Sequence, residues 1–189
     1  MSSTVGFEIV VIDMRIEREH TAAIVVDYQE KLVPVMNEKE QLIRNSCILL
    51  EGLQILDVPM VITQQYTKGL GMTVEEITEA AGTSEYIDKI SFTAFDCVKD
   101  KLSSKKYVIV CGIEAHICVL QTVIDLKAAG FVPVLVADCI SSRKESDKQV
   151  AIERARQEGA IVTTYESLLF ELLKVAGTET SKKIQKLIR

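Results

Sequence analysis

Five cysteines stand at positions 47, 97, 111, 118 and 139, and one of them occupies a place where a thiol could act on a substrate. Cys118 follows the short turn Gly112-Ile113-Glu114-Ala115-His116 and is expected to open a helix. There the helix dipole and the first backbone N–H groups would lower the thiol pKa and hold a thiolate. The same N–H groups could stabilise an oxyanion formed by attack on a carbonyl. Cys47 is expected inside a helix and Cys111 inside an apolar strand, settings in which cysteine acts as a small hydrophobe. Cys97 and Cys139 flank elements and read as packing residues, and a buried structural role competes for Cys118 too. A nucleophilic thiol needs a base or a cationic partner. Of the two histidines, His116 sits two residues from Cys118, and such neighbours do not face one another on a helix. His20 precedes the first expected strand, away from the site. Asp27 and Lys89 are better partners: a carboxylate can take the thiol proton and an ammonium lowers the thiol pKa. Taken singly, Asp27 also reads as a helix cap and Lys89 as a solvated charge. With Cys118 they form a constellation.

The elements that must bring these residues together follow from hydrophobic patterning. Apolar runs of strand length occupy residues 21–27, 59–63, 86–89, 106–111, 131–137 and 160–163. Most are nearly continuous in Val, Ile and Ala, the pattern of strands covered on both faces. Amphipathic helical stretches lie between them at 36–56, 94–102, 117–129, 145–158 and 165–175. Gly130 and Gly159 are placed to stop two of these. Thr163 with Glu166 reads as a capping box for the stretch at 165–175. Strand alternating with helix implies right-handed crossovers and a parallel sheet in a three-layer α/β/α sandwich. The whole chain, 1–189, reads as one domain, with a short edge strand within residues 5–14 and an amphipathic tail at 181–189. In an open parallel sheet, ligands bind beyond the carboxyl ends of the strands where strand order reverses. Asp27 ends the first strand, Lys89 the third, and Cys118 follows the fourth.

Composition removes several function classes. A net charge of −5 argues against a nucleic-acid partner, which a basic surface would recruit. No apolar run approaches the ~20 residues of a membrane span. The opening residues lack a basic n-region or an arginine-rich transit pattern, so the expected location is cytoplasmic, with mitochondrial association left open. An odd cysteine count without a C-x-x-C pair points to reduced thiols rather than disulfides or structural zinc. Gly69-x-Gly71 lacks the third glycine of a dinucleotide fingerprint, so no nucleotide cofactor is expected.

The segments Ile24-Val25-Val26-Asp27-Tyr28-Gln29, then Lys89 with Ser91-Phe92 and Phe95, then Gly112-Ile113-Glu114-Ala115-His116-Ile117-Cys118-Val119 resemble the three signatures of the isochorismatase-like cysteine hydrolases. The likeness runs from about residue 21 to 173, in the family's order. It implies a sheet of six parallel strands ordered 3-2-1-4-5-6. It also implies Asp27 as general base, Lys89 as its ion-pair partner and Cys118 as nucleophile. A cis peptide between Ile113 and Glu114 would aim the Glu114 and Cys118 backbone N–H groups at an oxyanion. Nicotinamidases of the family carry an Asp-x-His metal motif where this chain has Gln64-Gln65-Tyr66, so no metal is expected. The loop from Gln64 to Gly71 resembles instead the isochorismatase-domain-containing subgroup. Gln65, Tyr66, Phe92, Phe95 and His116 are candidates for lining the pocket. The function expected is metal-independent cleavage of a C–N bond in a small amide through a thioester. A catalytically silent scaffold and a ribonuclease are the alternatives. A homo-oligomer, dimer or tetramer, is expected with the small-molecule substrate as the other partner.

Overall fold

Val, Ile and Ala succeed one another along Thr21–Val26 (β1), and all six residues are buried. Two cores divide that strand between them: Ala23 and Val25 face one cluster, while Ala22, Ile24 and Val26 face the other. This is what a central strand with helices on both faces requires, and it accounts for the unbroken apolar run. The computed structural model describes residues 15–189, so the edge strand expected within 5–14 lies outside the described residues.

The remaining strands are Met60–Gln65 (β2), Tyr86–Lys89 (β3), Tyr107–Ile113 (β4), Val132–Ser141 (β5) and Ile161–Thr163 (β6). They form a parallel six-stranded sheet in the order β3-β2-β1-β4-β5-β6, as the resemblance implied. One face is covered by Lys39–Ile55 (α1), with its buried Leu42, Leu49, Leu50 and Leu53. The short Thr67–Leu70 helix (α2) follows β2, and Glu75–Ala81 (α3) packs on α1. Sequence patterning left both of these as a connection, because each is too brief to show a helical period. The opposite face carries Phe95–Val98 (α4), Leu120–Ala128 (α5) and Glu145–Gln157 (α6). Tyr165–Leu173 (α7) and Glu179–Ile188 (α8) return to the first face, where Leu168, Leu169, Leu172 and Ile184 are buried.

Four expectations change in detail. The stretch 94–102 is not one helix: α4 gives way to a 3-10 turn at Lys99–Leu102. The cap of α7 is Thr164 rather than Thr163; its hydroxyl accepts from the Ser167 N–H at 3.4 Å. Asp27 lies just past β1 rather than in it, with φ 54°. A left-handed backbone suits Asp better than most side chains. Finally, β5 runs to Ser141, past the expected residue 137, because β4 also extends and re-pairs Gly112 with Ile140 after an irregularity.

Candidate active site

The register of three strands assembles the site. Val26 of β1 lies between Thr63 of β2 and Gly112 of β4, so the turn after Val26 emerges beside the ends of both neighbours. On the outer side, Lys89 of β3 pairs with Gln65 of β2. Gly112 has φ 133°, and a Cβ there would collide with the Val26 carbonyl oxygen. Only glycine lets β1 and β4 approach so closely at the reversal of strand order.

Asp27, Lys89 and Cys118 meet at this point, with 0%, 4% and 6% of their surfaces exposed. Lys89 Nζ is 2.7 Å from Asp27 Oδ2. It also donates to Gln65 Oε1 at 2.7 Å and to the carbonyls of Ser91 and Phe92 at 3.2 and 3.0 Å. The other carboxylate oxygen, Oδ1, accepts from the Thr63 hydroxyl at 2.9 Å. Oδ2 is fully buried against the Lys89 ammonium. The Cys118 thiol interacts with both the carboxylate and the ammonium.

Burial and charge set the protonation states. Burial raises the Asp27 pKa, against the lowering effect of Lys89. Burial and then the Asp27 charge push the Cys118 thiol up to about 12, with Lys89 opposing. This corrects the expectation of a lowered thiol pKa. Cys118 does not begin an α-helix; it is the fourth residue of a π-helical turn, Ala115–Val119, that precedes α5. The desolvated thiol therefore keeps its proton beside a carboxylate that can receive it.

The remaining site candidates separate. The Ile113–Glu114 peptide is cis. The Glu114 carboxylate turns toward Arg143, accepting from its backbone N–H and its Nε, both at 3.1 Å. His116 faces the end of β5 and the start of α6, with Nδ1 2.9 Å from Ser142 Oγ and Nε2 4.0 Å from Asp147. Gln65 touches Lys89 directly and also donates to the Ile90 carbonyl at 2.7 Å. Tyr66 and Phe92 are half exposed. Phe95 packs edge-to-face on Phe131, with ring centroids 6.1 Å apart, and joins the core of that face. The three central residues lie below the surface of the folded chain.

Sequence reasoning missed several supporting groups. Gln29 ties the loop after β2 to the site, donating to the Gln65 and Gly71 carbonyls and accepting from the Gln65 N–H. The Thr122 hydroxyl accepts from the Ala94 N–H and donates to the Cys118 carbonyl, joining the loop after β3 to the turn that carries the thiol. Thr63 was legible only as the last residue of an apolar strand.

Among the described residues no group of three or more His, Cys, Asp or Glu side chains is arranged to hold a metal ion, and no helix is long and apolar enough to cross a membrane. Comparison with known proteins gives the family. Residues 21–167 match the isochorismatase domain. The isochorismatase domain-containing protein 2 of Danio rerio is 36% identical over 178 residues, 92% of this chain and 89% of that protein. The structure described as MAR1 ribonuclease from Caenorhabditis elegans superposes with a TM-score of 0.87 at 36% identity, covering 92% of each chain. The YcaC gene product of Escherichia coli, described as an octameric hydrolase of unknown specificity, shares the fold with a TM-score of 0.85 at 22% identity, over 92% of this chain and 90% of that one. With three strand ends, their side chains and the matched span in agreement, the chain belongs to the isochorismatase domain family.

Proposed function

We propose that the protein is a metal-independent cysteine hydrolase that cleaves the C–N bond of a small amide through a thioester on Cys118. The observation that carries this reading is the buried Asp27–Lys89 ion pair with the protonated Cys118 thiol against it. Asp27 takes the thiol proton as Sγ attacks the amide carbon. Negative charge moves to the carbonyl oxygen, for which the backbone N–H groups of Glu114 and Cys118 are the proposed donors. On collapse the C–N bond breaks, and the amine leaves with the proton that Asp27 held. Asp27 then accepts a proton from water, the hydroxide displaces sulfur, and the thiolate recovers the proton. Lys89 keeps Asp27 ionised between these transfers. Gln65, Tyr66 and Phe92 are the proposed substrate contacts; His116 contacts Ser142 and Phe95 packs on Phe131. Self-association is part of the proposal, supported by Ile90 and Phe92, exposed at 71% and 55% beside Lys89.

A panel of small primary and secondary amides, assayed for released amine, tests the reading. Turnover by wild type that is lost in Cys118→Ala supports it; equal turnover by the variant overturns it. The second reading, RNA cleavage, is favoured by the likeness to the MAR1 structure, while the net charge of −5 disfavours phosphate binding. RNA cleaved by wild type and by Cys118→Ala alike, without amide turnover, would select it.

A further inference from the structure

We propose that Thr63 is a positioning residue that reserves one oxygen of Asp27, Oδ1, so that Oδ2 alone serves as the proton acceptor for Cys118. This rests on the cysteine-hydrolase reading above and names a residue that the reading does not require. A carboxylate has two chemically equal oxygens, and a buried one can turn to present either. Here the two are made unequal. Oδ1 accepts from the fully buried Thr63 hydroxyl at 2.9 Å. Oδ2 is equally buried and faces the Lys89 ammonium at 2.7 Å. The Cys118 thiol interacts with the same carboxylate. With Oδ1 held by Thr63, Oδ2 is the oxygen left to receive its proton.

The placement is built into the sheet. Thr63 is the β2 partner of Val26, and its carbonyl accepts from the Asp27 N–H at 3.2 Å. One residue therefore holds both the backbone and the side chain of the base. Asp27 itself takes a left-handed backbone, φ 54°. The Thr63 bond also favours the ionised carboxylate, in keeping with its lowering effect on the Asp27 pKa.

The test needs no substrate. Iodoacetamide alkylates Cys118 by forming the S–C bond as iodide leaves with the C–I electron pair, while the thiol proton passes to Asp27. The rate at Cys118, followed by peptide mapping against pH, should fall at low pH as Asp27 is protonated. In Thr63→Val that fall should move to higher pH and the plateau rate should drop several-fold; Thr63→Ser should restore both. An unmoved profile in Thr63→Val, with the fall still absent from Asp27→Asn, overturns the role of Thr63 alone. A fall that survives in Asp27→Asn overturns Asp27 as the base, and with it the hydrolase reading. Should Thr63→Val not fold, the Thr63 hydroxyl proton of the wild-type protein decides by NMR: its shift should titrate with the same midpoint as the alkylation rate. A shift that stays constant through that range contradicts the proposal.

Discussion

Cys111 and Cys118 lie on opposite faces of the same sheet, seven residues apart, and burial pushes both thiols up to about 12. Their surroundings differ. Cys111 sits among Tyr28 and the Ile24 carbonyl, in a core of aliphatic side chains. Cys118 has a carboxylate and an ammonium against it. Two thiols can therefore share an unreactive resting state while only one has somewhere to send its proton. Thiol acidity does not distinguish the two cysteines; the neighbouring acceptor does.

The largest expected difference between the two cysteines is chemical. Asp27→Asn should slow alkylation of Cys118, and any amide turnover, by about 10²–10⁴-fold, the usual worth of a general base. Labelling of Cys111 should not change. Peptide mapping of both cysteines in one reaction reads this directly, and equal slowing of the two would mean that Asp27 acts through structure alone.

Next comes Lys89→Met, which leaves a buried carboxylate without its counter-charge. Removing one partner of a buried ion pair costs about 3–5 kcal/mol, so the midpoint of urea unfolding should drop sharply. Cys111→Ala should cost only about 1 kcal/mol and leave Cys118 chemistry intact. A small effect for Lys89→Met would place the ion pair outside the folded core.

The pH dependence of stability is subtler. The Asp27 pKa is raised from 3.8 on folding, so the native state binds its proton more tightly than the unfolded chain. That contribution is fully present below 3.8 and is lost as pH rises through the raised folded value. Asp27→Asn should remove this slope in denaturation curves above pH 3.8. On the alkaline side both thiols, raised from 9.0, should lower stability as pH climbs past 9. Cys111→Ala and Cys118→Ala should each relieve that loss, so this experiment cannot separate them and the alkylation experiment can.

Much of this was readable from residue order. Continuous Val and Ile runs announce strands buried on both sides, and the signature segments around Asp27, Lys89 and Cys118 imply the strand order that joins them. What escaped was whatever depends on exact environment. Helices α2 and α3 are shorter than the period that reveals a helix. A π-helical turn and an α-helical N-terminus look alike in sequence, and the sign of the Cys118 shift depends on burial and the Asp27 charge outweighing Lys89. Phe95 sits beside a site signature yet faces Phe131, because adjacency in sequence does not fix which layer a ring enters. Thr63 and Thr122 carry no sequence signal beyond being polar residues on apolar faces, and the positions they bridge lie 36 and 28 residues away.

The most direct test of the central claim is intact-mass spectrometry of the wild-type protein mixed rapidly with the amide panel and quenched in acid. The account predicts an acyl adduct equal to the substrate less its amine. It should map to Cys118 alone, be released by hydroxylamine and be absent from Cys118→Ala. Amide turnover with no adduct at Cys118, or an adduct at Cys111 or Cys139 instead, would contradict it.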